Sequence, residues 1–127
     1  MTDTHPLVWR SAGLNKRLGP AANAVYDKAE SGEASIIIPS IVLAETVFIA
    51  EKRRVQLQLN SLLESFEVAL NYRVYPLDFA VVKKASEMNG PGEIHDRLIV
   101  ATAKHLGLEL ITDDREIRES GHVNTIW

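Results

Sequence analysis

The stretch HDRLIVATAKHLGLELITDD, residues 95–114, decides how this chain is read. It has the look of a helix running into a buried strand. One acid opens it (Asp96) and two close it (Asp113, Asp114). Carboxylates at both ends of so apolar a run are either caps and turn residues or groups that converge on something positive.

Outward from that stretch, ASIIIP (34–39) is a continuous β-branched run, as expected of a strand covered on both faces. Ser40 suits the N-cap of a helix over IVLAETVFIAEKRR (41–54), whose basic end favours a helix C-terminus. LQLNSLLESFEVAL (57–70) places Leu59, Leu62, Leu63, Phe66 and Leu70 on one helical face. YRVYPL (72–77) reads as a short strand, and Asp78 as a cap for FAVVKKASEM (79–88). Near the start, a helix begins about PLVW (6–9) and extends toward Arg17. A second spans GPAANAVYDKAESG (19–32), with Gly32 as its stop. LELIT (108–112) and the closing VNTIW (123–127) are strands. Strands alternating with helices predict a three-layer α/β/α sandwich with a mainly parallel central sheet.

The chain's 127 residues predict a single domain, 1–127, because no repeat or linker divides it. EMNGPGEIHD (87–96) is the main flexible candidate and is too short to separate domains. No cysteine is present, so a disulfide framework and a thiolate zinc site are both excluded. No apolar stretch reaches the roughly 20 residues of a membrane span. The N-terminus lacks the features of a signal peptide, so the expected location is the cytoplasm. A formal charge of -3 argues against a generally basic surface but leaves room for a basic rim. Gly-rich phosphate loops and a G-x-S-x-G elbow are missing.

In open α/β sheets, ligands sit beyond the carboxyl ends of the strands. Asp114 follows LELIT at such an end, Asp96 opens a helix, and Asp3 would leave a very short first strand at the same edge. Glu45 lies one turn into the helix after ASIIIP, flanked at helical spacing by Ile41, Val42, Phe48 and Ile49. No basic residue stands three or four positions from it, so its partner is distant in sequence or is a metal ion. Taken singly, Asp96 is an N-cap, Asp113 and Asp114 are turn residues, Asp3 is a cap or part of a frayed terminus, and Glu45 is equally a buried salt-bridge partner or a functional group. Taken together they place oxygen ligands on one edge, which suits Mg²⁺ or Mn²⁺. His95, just before Asp96, is a candidate to line the same pocket, whereas His105 and His122 read as surface residues.

TDTHPLVW (2–9), the Glu within PSIVLAETVFIA (39–50), the stretch 95–114 and the ending GHVNTIW (121–127) together resemble a PIN domain, and more narrowly the VapC-like toxins of toxin–antitoxin pairs. The most specific part is D-R-x-I-x-A-x-A followed by G-L-x-L-x-T-x-D. The resemblance implies a Mg²⁺- or Mn²⁺-dependent ribonuclease, a cognate antitoxin and a homodimer. It puts the family's acids on Asp3, Glu45, Asp96 and Asp114, with Asp113 as a substitute ligand. Glu45 would hold a second metal or a metal-bound water. The implied substrate is single-stranded or looped RNA. Arg10, Arg97 and Arg115 are candidate contacts, with Lys16, Arg17, Lys52, Arg53 and Arg54 as further rim cations. Family members carry several apolar residues before the first Asp, whereas only Met1 and Thr2 precede it here. Two alternatives stay open: a PIN-like domain that binds a partner without catalysis, and another Mg²⁺-dependent phosphoryl-transfer protein such as a receiver.

Overall fold

Strand β1 (Ile36–Pro39) pairs in parallel with β2 (Tyr72–Tyr75), Ile36 opposite Tyr72 and Ile38 opposite Val74, in a computed structural model that describes residues 1–52 and 55–127. Arg53 and Arg54 lie outside the described residues. Strand β3 (Leu110–Ile111) pairs in the same sense with β4 (Thr125–Ile126).

The first three residues join these two pairs. The Thr2 N–H donates to Ile37 O at 3.1 Å, the Ile111 N–H to Met1 O at 2.9 Å and the Asp3 N–H to Ile111 O at 3.0 Å. The order is therefore β2, β1, residues 1–3, β3, β4, and the very short first strand occupies the centre of the sheet. Asp3 is 6% exposed, so the frayed-terminus reading fails. Its backbone is held by the neighbouring strands rather than left to solvent.

The helices complete the α/β/α sandwich. α1 (Thr4–Ser11) starts earlier than PLVW and ends at Ser11. Gly13 then takes φ +70, which breaks the helix, and a separate 3₁₀ turn (Asn15–Arg17) replaces the expected extension. α2 (Pro20–Glu30) begins on a proline, whose missing N–H costs nothing in the first turn. α3 (Ser40–Glu51) has Pro39, not Ser40, at its N-cap. The Ser40 hydroxyl instead accepts from the Leu77 N–H at 2.9 Å, tying this junction to the chain after β2. α4 (Leu59–Val68) half-buries Leu59, Leu62, Leu63 and Phe66. Leu70 drops out of the expected face because Ala69 turns extended, and it stands 92% exposed.

Asp78 caps α5 (Phe79–Ser86) as read, accepting from the Val81 N–H at 2.9 Å. α6 (Ile94–Leu106) buries every residue from Leu98 to Ala103 and packs along α5. α7 (Arg115–Ser120) is a helix the sequence does not announce: of its six residues only Ile117 is buried. The core joins Leu7 and Tyr26 to Ile36, Ile38, Val42, Val81, Ile99, Val100, Leu110, Ile111 and Ile117. Among the described residues, no helix is long and apolar enough to cross a membrane.

Candidate active site

Asp3 ends the central segment and caps α1, so its carboxylate is placed by both sheet and helix. One oxygen, Oδ1, accepts from the Thr4 N–H at 2.6 Å, and Oδ2 accepts from the Thr112 hydroxyl at 2.6 Å. Burial pushes the Asp3 carboxyl above its ordinary range, with these two donors opposing the shift. Thr112 in turn accepts the Asp114 N–H at 3.0 Å. Asp114 caps α7 through the Ile117 N–H at 2.9 Å.

Asp96 is not a cap. Glu93 holds that position, and Asp96 stands in the first turn of α6. Its carboxyl is pushed up to about 7, first by burial and then by the charges of Asp114, Asp3, Glu45 and Glu93. Glu45 finds the distant partners its local sequence lacks. The Thr4 hydroxyl donates to its Oε2, and His95 Nδ1 lies 3.0 Å from its Oε1. Neither partner is an Arg or Lys.

One cavity of about 900 Å³ collects Asp3, Glu45, Glu93, Asp96, Asp113 and Asp114 together with His5 and His95. Asp113 is exposed there, and its carboxylate lies 3.4 Å from Arg118. Thr4 and Thr112 are the functional side chains that sequence reasoning passed over. Both stand inside the quoted D-T-H and T-x-D segments, and the pairing of each with an acid was the signal.

The arginines proposed as substrate contacts are engaged elsewhere. Arg10 is clamped by Glu30, at 2.8 and 2.6 Å, and by Asp27, at 2.7 Å, across the α1–α2 contact. Arg97 donates to Pro91 O at 3.0 Å and Gly92 O at 3.2 Å, holding the loop before α6. Arg115 pairs with Glu119 at 2.7 Å. Lys16 is exposed. Arg17 lines the cavity, with its guanidinium over the Trp9 ring.

The donor set suits a hard cation: carboxylate oxygens, mutually repelling, with the Asp96 carboxyl raised to about 7 by burial first and that repulsion second. Among the described residues, no three His, Cys, Asp or Glu side chains stand close enough to hold an ion as placed. A cation would have to draw the carboxylates inward.

Fold and site define an α/β protein that gathers acids at the carboxyl edge of a parallel sheet. A family model described as PIN domain matches residues 2–122, and the chain belongs to that family. It is 30% identical over 131 residues to Ribonuclease VapC22 of Mycobacterium tuberculosis (strain ATCC 25618 / H37Rv), covering 100% of this chain and 97% of that relative. Among solved structures, VapBC2 from Rickettsia felis, bound to a DNA fragment from their promoter, is similar with a TM-score of 0.68 at 20% identity, covering 98% of this chain and 95% of that one. FitAcB from Neisseria gonorrhoeae is similar with a TM-score of 0.64 at 21% identity, over 98% and 94% of the two chains. Family membership removes the receiver alternative.

Proposed function

We propose that this chain is a metal-dependent endoribonuclease, the toxin of a toxin–antitoxin pair, working in the cytoplasm as a single domain over 1–127. The observation that carries the reading is one cavity that gathers the carboxylates of Asp3, Glu45, Glu93, Asp96 and Asp114, where burial first and these charges second raise the Asp96 carboxyl to about 7. Such an arrangement invites a cation, and kinship to a named ribonuclease supplies the class of reaction.

In this reading Asp3, Asp96 and Asp114 would hold Mg²⁺ or Mn²⁺, and Glu45 would serve a second ion or a bound water, with Asp113 as a substitute ligand. Such an ion lowers the pKa of a bound water and offsets charge on the phosphate. The chain's own part is placement. Thr112 fixes one oxygen of Asp3 and the backbone of Asp114. Thr4 and His95 each hold one oxygen of Glu45. The start of α6 presents Asp96 to the same space.

The partners are an RNA substrate, a cognate antitoxin and a second copy in a homodimer. An antitoxin can silence such a site by inserting an Arg among Asp3, Asp96 and Asp114, because its planar fork bridges carboxylates with charge-assisted hydrogen bonds. Incubation of mixed RNA with and without Mn²⁺, beside Asp96→Asn, tests the function. Cleavage that needs Mn²⁺ and vanishes in the variant is the expected result, and intact RNA in every lane would overturn it. The second reading, a partner-binding domain without catalysis, draws on the spacing of the acids, since among the described residues no three stand close enough to hold an ion. It predicts neither cleavage nor metal-linked stabilisation.

A further inference from the structure

Three acids of the cavity stand on three different supports. Asp3 is held by the sheet, Asp96 stands in the first turn of α6, and Asp114 caps α7. The sheet and α6 are packed in the core, but of the six residues of α7 only Ile117 is buried. One apolar anchor fixes a point on a helix and does not by itself fix its direction. The separation of Asp96 from Asp114 therefore depends on something besides packing.

The peptide unit between Pro91 and Gly92 links the two helices. Its carbonyl, Pro91 O, accepts from Arg97 Nε at 3.0 Å, and the next carbonyl, Gly92 O, accepts from Arg97 Nη2 at 3.2 Å. Its N–H, that of Gly92, donates to Glu116 Oε1. Arg97 follows Asp96 by one residue on α6, and Glu116 follows Asp114 by two on α7. A peptide plane is rigid, so the helices are joined through it right beside their acids. Pro91 is buried, which holds the plane in place. Glycine permits the grip, since a Cβ at Gly92 would stand 3.2 Å from Glu116 Oε1.

We propose that Arg97 and Glu116 are positioning residues: by gripping one peptide from two helices, they set the separation at which Asp96 and Asp114 meet a divalent cation. This rests on the cation reading above. Among the described residues, no three ligand side chains stand close enough to hold an ion as placed, so binding must draw carboxylates inward. A clasp beside both acids confines that movement to the side chains and keeps the helices still. Without it, part of the binding energy goes into ordering α7. The rival is a clasp that only stabilises the fold, and charge separates the two. Arg97 puts a positive charge one residue from a ligand, so Coulomb's law alone has its removal help a cation bind. The positioning role requires the opposite sign.

Calorimetric titration with Mn²⁺ near pH 8 tests this without turnover, beside a melting curve of each metal-free protein. Arg97→Met keeps the aliphatic stem and deletes the fork, and Mn²⁺ affinity should fall roughly tenfold. Glu116→Ala should weaken Mn²⁺ binding by a similar factor. Glu116→Gln loses the same charge but keeps an acceptor oxygen for the Gly92 N–H, and it should retain most of the parent's affinity. Glu116 is exposed, so its two variants give an answer even if Arg97→Met fails to fold.

Arg97→Met that binds Mn²⁺ as tightly as the parent, or more tightly, overturns the proposal. So does Glu116→Ala that matches Glu116→Gln, whatever the melting curves show. Either result with Mn²⁺ uptake intact in the parent sinks the clasp alone and leaves the cation reading standing. No uptake by the parent removes that reading, and the positioning role with it.

Discussion

Two clusters of acids in this molecule look alike in sequence and differ in one physical respect. Asp27 and Glu30 on α2 enclose the guanidinium of Arg10, with N···O distances of 2.7 and 2.6 Å. Asp3, Glu45, Asp96 and Asp114 face one cavity, where burial first and then the charges of the other three, with Glu93, raise the Asp96 carboxyl. The first cluster carries its own cation and is a strut between α1 and α2. In the second, among the described residues, no Arg or Lys pairs with these four acids, an arrangement suited to taking a cation from outside. Nearby carboxylates therefore say little about function until their counter-charge is located.

The strongest way to break this comparison is to remove one acid from the uncompensated cluster. Asp96→Asn keeps the shape and deletes the charge. RNA cleavage should fall on the order of a hundredfold or more, as for loss of a group that stabilises the reacting centre. The same change should leave the fold intact, because Asp96 caps no helix. Cleavage kinetics and a melting curve on one preparation would check both. Undiminished cleavage would place the chemistry elsewhere.

The outline of the fold could be read from the chain because its middle strands are unbroken apolar runs. ASIIIP reads as a covered strand, and within it Ile36 and Ile38 are almost wholly buried. What escaped the reading depends on distant neighbours. Residues 1–3 read as a very short first strand, but their place between β1 and β3 is set by hydrogen bonds to Ile37 and Ile111. The helix α7 has one buried apolar residue, so it carries no amphipathic signal. That the acids would meet at one cavity was legible, because they stand in specific motifs at the sheet's carboxyl edge. The roles of Arg10 and Arg97 were not, since a long flexible cation takes whatever acceptor the fold brings near. For Arg10 that acceptor is Glu30, twenty residues away and on another helix.

A second test sharpens the contrast through pH and metal. The Asp96 carboxyl titrates near 7 in the fold, against an ordinary value of 3.8. A group raised in the folded state favours folding below its unfolded pKa, and that contribution is lost as pH rises through the folded one. Asp3 is shifted in the same direction. The metal-free protein should therefore melt higher near pH 5 than near pH 8, and Asp96→Asn should flatten the difference. Mg²⁺ or Mn²⁺ near pH 8 should restore stability by mass action, by about 2.7 kcal/mol at a concentration one hundred times Kd. A melting temperature indifferent to metal and rising steadily from pH 5 to pH 8 would show that the acids do not share an uncompensated field.

Thr112 offers a smaller perturbation inside the same cluster. It is fully buried, donates to Asp3 and accepts from Asp114. Thr112→Val keeps the shape and removes the hydroxyl, leaving a buried carboxylate oxygen without its donor. Stability should drop by about 1–3 kcal/mol, and Thr112→Ser should recover most of it. Denaturant midpoints for the pair would show whether the hydroxyl or the methyl matters. If Ser behaves like Val, packing rather than the hydrogen bond holds Asp3 in place.

The smallest effect belongs to the cluster that carries its own cation. Arg10→Met preserves the aliphatic stem against Tyr26 and deletes the guanidinium. It leaves Asp27 and Glu30 without their partner, yet their side chains are 67% and 52% exposed, so water solvates the abandoned charges. The loss should be about 1 kcal/mol, in the range of surface ion pairs, and should shrink as salt is added. RNA cleavage should be unchanged, because Arg10 faces α2 and does not line the acid cavity. The opposite result is equally instructive. If Arg10→Met cost cleavage at least as much as Asp96→Asn while stability held, Arg10 would be a substrate contact after all, and the division between a compensated strut and an uncompensated site would fail at its first member.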